Sequence, residues 1–234
     1  MSPLRKTAIA VGVLFLTSDV TAVIARFMYG PVLEHPDRAG GDTNALLGGV
    51  IEVVMALAIV GTSVVLYPIA KRQNHAVALG YVALRTLEAS VVLTGVVSVF
   101  TLVSVRSTLD GAEGAGTISQ MLVAFQDWTF LVGPGLVCGA NTVLMASIMF
   151  RSNLIPRFIA VLGLAGGPLV FALNALKLFG VEDAIMPWAA LGVLPIFAWE
   201  VLLSIYLIAR GFRLSALARL DVSPAVGETR LVTV

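Results

Sequence analysis

The segment Ala76–Val105, AVALGYVALRTLEASVVLTGVVSVFTLVSV, decides the fold. It is thirty residues long and its only charged members are Arg85 and Glu88. A helix needs roughly 20 predominantly apolar residues to cross the hydrocarbon of a bilayer. This run exceeds that length, and no alternation of polar and apolar residues marks it as a strand.

Working outward, five further runs of the same kind appear. The six are read as 7–29, 45–70, 76–105, 121–149, 158–178 and 186–210. The connectors are short and carry helix breakers: Gly30-Pro31, Gly40-Gly41, Asp110-Gly111, Gly114 with Gly116, and Pro156. The fold class expected is all-α, a polytopic membrane bundle of six transmembrane helices. Residues 1–212 form the membrane domain and 213–234 a mobile tail containing Pro224 and Gly227. No internal repeat is visible.

Composition agrees. The chain has 234 residues, of which 58% are hydrophobic and 12% charged. Soluble domains carry about 45–50% apolar and about 25% charged residues. A net charge of +1 builds in no attraction to a polyanion, so a nucleic-acid partner is excluded. The lone Cys138 rules out a disulfide framework and a thiolate metal cluster. Neither His35 nor His75 lies within a span, which argues against b-type haem and a His-carboxylate metal centre. There is no phosphate-binding loop and no dinucleotide fingerprint. No metal site and no cofactor are expected.

Lys and Arg set the orientation. One side holds Arg5, Lys6, Lys71, Arg72, Arg151, Arg157, Arg210, Arg213, Arg219 and Arg230, which is ten; the other holds Arg38 and Arg106. Both termini are therefore expected in the cytoplasm, with the bundle in the cell (inner) membrane. The first run starts with Arg5 and Lys6 like a signal peptide, but Asp19 interrupts it and apolar residues continue to Ile24.

Ionisable groups inside spans cost about 2.5–3.5 kcal/mol each at a helix centre, so they face the bundle interior and pair. Here they are the acids Asp19, Glu52, Glu88, Asp127 and Glu200 and the bases Arg26, Arg85 and Lys177, with Asn141 and Asn174 adding neutral polarity. At about 1.5 Å of rise per residue, Arg26, Glu52, Asp127, Asn174 and Lys177 fall in the outer half. Asp19, Arg85, Glu88 and Glu200 fall nearer the middle or inner half. That distribution points to a polar cavity open to the external side, walled by spans one, two, four and five. Arg85 and Glu88 are three apart and share a face, as an ion pair or as a site. Five acids against three bases leave at least two carboxyls to be protonated, hydrogen-bonded or hydrated. Trp128 reads as an interfacial belt anchor or a ligand platform, and Lys177 as a snorkelling lysine or a ligand contact.

The fourth span contains Gly133-Pro134-Gly135, the fifth Gly163, Gly166, Gly167 and Pro168, and the sixth Pro187 and Pro195. Kinks there would free carbonyls to line a pocket. Gly12, Gly48, Gly49, Gly61 and Gly95 suit close helix contact.

Four elements occur together: Tyr67-Pro68 before Lys71-Arg72-Gln73; Leu79-Gly80-Tyr81-Val82-Ala83 with Arg85 and Glu88; Asp127-Trp128 and Phe130 before Gly133-Pro134; and Arg151-Ser152 before Ile155-Pro156-Arg157. In these the chain resembles the bacterial multi-pass membrane family catalogued as domain of unknown function 4386, over roughly residues 5–212. The resemblance implies a bacterial inner-membrane helical bundle and carries no reaction. It places Arg85, Glu88, Asp127 and Trp128 in the family pattern.

Three functions stay open on these residues. The first is a site for a lipophilic small molecule, with Glu52, Glu88, Asp127 and Glu200 as candidate catalytic acids. Asp19, Arg26, Arg85, Trp128, Asn141, Asn174 and Lys177 are its candidate ligand contacts. Such acid–base chemistry would follow the general plan of isoprenoid cyclases, by chemical analogy alone. The second is a proton-coupled carrier. The third is a non-catalytic membrane partner or regulator.

Overall fold

Hydrocarbon offers no partner to a backbone N–H or C=O, so a chain this apolar must satisfy its backbone within helices. The computed structural model describes residues 2–36, 40–109 and 112–222; over 182–192 and 219–222 the backbone alone is described. Helices α1 (Pro3–Glu34), α2 (Asp42–Gln73) and α3 (His75–Thr108) come first. Next comes one continuous rod: α4 (Ala115–Phe130), a π-helical segment (Leu131–Val137) and α5 (Cys138–Ser152). Helices α6 (Arg157–Lys177), α7 (Glu182–Ala209) and the short α8 (Leu214–Val222) complete the described chain.

Among the described residues, five helices are long and apolar enough to cross a membrane: α1, α2, α3, the α4–α5 rod and α6. Within α7 the apolar stretch is Val193–Ala209. Boundaries differ from the sequence reading in an instructive way. Gly30-Pro31 does not end α1, which continues to Glu34. Proline forfeits one hydrogen bond to the preceding turn, a tolerable loss this near a helix end. Gly41 and Gly114 do punctuate, with φ of 81° and 88° at the starts of α2 and α4. Asp110-Gly111 lies outside the described residues.

Consecutive helices pack against each other, and α1 also packs on α7, so the helices close into a ring. A charged clasp holds the closure. The Arg5 guanidinium donates to the carbonyls of Leu207, Ile208 and Ala209 at the C-terminus of α7. The last carbonyls of a helix carry the negative end of its dipole, and the Leu207 carbonyl also accepts from the Gly211 N–H. At the opposite end Arg106 pairs with Asp42 at 3.1 Å, joining α3 to α2.

Backbones touch where glycine removes the side chain. A Cβ at Gly139 of α5 would lie 2.8 Å from the Gly167 carbonyl oxygen, and one at Gly167 of α6 would lie 2.7 Å from the Gly139 oxygen. Gly166 meets the backbone of Pro195 and Ile196 on α7, and Gly12 meets Ser204 and Ile208. Without a hydrophobic force between helices in lipid, such close packing carries association.

The region after Arg210, read from sequence as a mobile tail, includes α8, which contacts α2 and α5 and buries Ala216 and Leu217. The Arg213 N–H donates to the Leu154 carbonyl. Residues 223–234 lie outside the described chain.

The α5–α6 contact yields a stability test. Gly167→Val drives two methyls towards a backbone that cannot yield, and overpacking costs about 1–3 kcal/mol. A lowered melting temperature of detergent-purified protein is expected. Gly116→Ala, where an added Cβ meets nothing within 4 Å, is expected to change it little.

Candidate functional site

A cavity of about 340 Å³ lies among the helices. All the long helical elements contribute to its wall: α1, α2, α3, the α4–α5 rod, α6 and α7. Sequence reasoning named four walls; α3 and α7 join them because Arg85, Glu88 and Glu200 point to the same space. Most of the surface is apolar, including Ala22, Val23, Met55, Ile59, Val170, Leu173, Ile196 and Phe197. The polar groups are Ser18, Asp19, Glu52, Arg85, Glu88, Asn174, Lys177 and Glu200. The expected polar cavity is thus amphipathic, with ionisable groups set into an oily lining.

The π-helical segment shapes one wall. Pro134 has no N–H to give the preceding turn, and the wider π turn absorbs that defect. The Cys138 N–H bonds instead to the Gly133 carbonyl, five residues back. An extra residue in the turn rotates everything after it by about 100° relative to an unbroken α-helix. Cys138 thereby lines the cavity, and Asn141 reaches α3. Gly135 gives the Asn174 side chain room, since a Cβ there would lie 2.8 Å from its amide carbon.

The deepest group is built on α3. Arg85 Nη1 donates to Glu88 Oε2 at 3.0 Å, with both side chains 4% exposed. Arg85 Nε donates to the Tyr81 hydroxyl at 3.2 Å, and the guanidinium lies 5.1 Å from the centre of the Phe15 ring. Asn141 Nδ2 donates to the same Glu88 oxygen. The pair is therefore a hydrogen-bonded assembly spanning α1, α3 and α5. Tyr81 stands one helical turn before Arg85, a spacing readable from sequence, whereas nothing local marks Phe15.

Glu52 on α2 accepts a hydrogen bond from the Tyr29 hydroxyl at 2.9 Å, and Arg26 acts on it electrostatically. Tyr29 went unnoticed in the sequence because it is twenty-three residues away on another helix.

Asp19 and Glu200 form the third group. Their carboxyls line the cavity from the two sides of the α1–α7 seam, close enough to act on one another. The antiparallel register explains it. Gly12 meets Ser204 and Ile208, so moving seven residues along α1 away from Arg5 reaches the level of Glu200 on α7. Asp19 Oδ2 is buried without a hydrogen-bond donor among the described residues. Two carboxyl oxygens attract only when a proton or another cation lies between them.

The remaining candidates are distributed differently. Asn141 stands behind the wall and holds Glu88 in place. Arg26 is exposed and lies 5.8 Å from the centre of the Phe130 ring. Asp127 and Trp128 are not brought to the cavity: both sit on the exposed face of α4, Trp128 at 53% exposure. At 100° per residue, their neighbours Gln126, which is buried, and Phe130, which lines the cavity, take the inward positions instead. Many Ser and Thr hydroxyls, such as those of Thr62, Thr86, Ser90 and Thr94, bond back to carbonyls of their own helix and so are committed locally. Among the described residues no three His, Cys, Asp or Glu side chains are grouped to hold a metal.

The ion pair can be tested by stability. Arg85→Met strands Glu88 without its base, and breaking a buried pair costs about 3–5 kcal/mol. Combining it with Glu88→Gln, which still faces Asn141, is expected to recover most of that loss in a double-mutant cycle on reversible unfolding in micelles. Strict additivity of the two changes would contradict the pairing.

No curated protein and no solved structure matches the chain. A family model does, over residues 10–211, and it covers every helix that lines the cavity; its description is "Domain of unknown function (DUF4386)". The chain belongs to the DUF4386 family.

Proposed function

We propose that this protein is a bacterial inner-membrane protein of six spans that binds a lipophilic small molecule in its central cavity. The observation that carries the reading is the cavity itself: about 340 Å³ of space at membrane depth, apolar over most of its surface and set with carboxyls. Sites for small molecules are concave, mainly apolar and furnished with a few placed polar groups, and about 300 Å³ is the lower end of their size range.

The sixth span is α7. Its 28 residues exceed the length a bilayer requires. The ten-to-two bias of Lys and Arg puts the ends of α2, α5 and α7 on the cytoplasmic side. The Arg5 clasp, which brings the start of α1 to the end of α7, agrees with both termini lying there. The cavity's outer rim, at Asn174 and Lys177 near the end of α6, then faces the exterior. Residues 1–212 make up the membrane domain, and the segment beyond is a cytoplasmic tail that begins with α8.

Among the four carboxyls at the cavity, Glu88 is committed to Arg85 and Asn141, and Glu52 to Tyr29. That leaves Asp19 and Glu200 as the groups able to exchange a proton with a bound molecule. They are the best placed for acid–base work or for proton coupling, and Asp127, off the cavity, takes no part.

Filling the space is the direct test. Ala22→Trp places an indole where Ala22 lines the wall. Native mass spectrometry of the purified wild-type protein is expected to show a retained lipophilic molecule, and the variant is expected to have lost most of it. A wild-type protein that retains nothing and binds no apolar probe would contradict the reading.

A further inference from the structure

Resting on the reading of the cavity as a lipophilic site, we infer that its occupant is an organic cation whose ammonium head docks between Asp19 and Glu200 in exchange for a proton.

Among the described residues the cavity is lined by four carboxyls, Asp19, Glu52, Glu88 and Glu200, and by two bases, Arg85 and Lys177, leaving two acids in excess. Arg85 is already spent on Glu88 at 3.0 Å. Lys177 is the last residue of α6 and sits at the rim. Among the described residues the Asp19–Glu200 pair in the α1–α7 seam thus has no ion-pair partner, Arg85 acting on it only through space, and Asp19 Oδ2 is buried without a donor. An empty site keeps the pair together only by holding a proton. A cation entering between the carboxyls supplies the same charge, so the proton leaves to water and the net charge of the pocket is unchanged.

The surroundings choose the kind of cation. A hard ion such as Ca²⁺ or Mg²⁺ needs about six or more oxygen ligands. Here Ala22, Val23, Ile196 and Phe197 line the wall beside the pair, Glu88 is committed to Arg85 and the Ser18 hydroxyl to the Phe15 carbonyl, and among the described residues no third acid joins the pair as a metal ligand. An alkylammonium is satisfied by one or two carboxylates and by contact with carbon. Phe130 and Phe197 also line the wall, and aromatic faces attract quaternary ammonium groups. An apolar body fits the remaining space.

Exchange with a proton makes binding depend on pH, so every charged neighbour matters. Facing the pair are Arg85, Glu88 and Tyr81 of α3 and Cys138 of α5. Further out are Glu52 of α2 and Lys177 of α6. Arg85 is held by Glu88 and Tyr81, so it cannot swing across to neutralise Asp19.

The test uses the full chain in lipid nanodiscs, with empty discs as blank. The probes are benzyltrimethylammonium and its neutral carbon isostere, neopentylbenzene. The quaternary probe carries no proton, so any proton released comes from the protein. Calorimetry in two buffers of different ionisation enthalpy counts it. The cation is expected to bind at least about tenfold more tightly than the isostere, releasing close to one proton. Its affinity should fall about tenfold per unit decrease in pH while the pair holds its proton. In D19N and in E200Q the preference for the cation should collapse to within about twofold, with gel filtration and melting confirming that each variant is folded. Equal binding of both probes to the wild type, or cation binding without proton release, overturns the inference while the lipophilic site stands. Binding of neither probe overturns both.

Discussion

A charge at membrane depth must find its partner inside the protein, and the Arg85–Glu88 assembly is where this chain meets that demand. Removing both ions from water costs several kcal/mol each, and only close geometry with further hydrogen bonds offsets it. Tyr81, Asn141 and the ring of Phe15 supply that geometry from three helices. The assembly therefore does more than neutralise two residues. It fixes how α1, α3 and α5 lie around the cavity and commits the guanidinium's hydrogen bonds to Glu88 and Tyr81, so that it acts on Asp19 and Glu200 only through space. The unneutralised Asp19–Glu200 pair is a consequence of that arrangement.

Space in the centre is a second consequence, produced by small residues and one helical defect. Glycine contacts let α5, α6 and α7 approach backbone to backbone, while the π-helical segment at Leu131–Val137 redirects the rod that carries Cys138 and Asn141. Side chains that would fill the middle are absent on one side and turned aside on the other. The result is tight packing towards the Arg5 clasp, where Phe15, Leu66, Tyr81, Met145, Trp199 and Leu203 form the main core. A second cluster, built on Tyr29, Val32, Ala45, Val99 and Leu102, packs the opposite ends of α1, α2 and α3, and on those helices the cavity is lined by the residues between the two.

Much of this was legible in the sequence. Membrane helices announce themselves by uninterrupted apolar length, and the five that meet the requirement by length and composition fall where the sequence placed them. The i, i+3 spacing of Arg85 and Glu88 prescribed a shared face, and that local geometry holds in the structure. What depended on the relative register of distant helices was not legible. Asp19 and Glu200 are 181 residues apart, and the packing of α1 on α7, at Gly12 and at the Arg5 clasp, sets them level. The partnership of Tyr29 with Glu52 is of the same kind. For Asp127 and Trp128 the sequence shows depth but not face, and in the structure both lie on the exposed face of α4, off the cavity lining. Helix α8 was overlooked because the short apolar pattern around Ala216 and Leu217 gains its burial only from α2 and α5.

The central claim is that ionisable groups at membrane depth surround a space reached from outside. Thiol accessibility measures it most directly. In a Cys138→Ser background, single cysteines replace Asn174 at the rim, Ala22 on the wall and the bilayer-facing Leu57, which is 68% exposed. A charged, membrane-impermeant thiol reagent is then added to intact cells. Cysteines at 174 and 22 are expected to react from the outside and the one at 57 to stay unmodified. Protection of both cavity positions from the outside, or their modification only from the cytoplasmic face, would contradict the account.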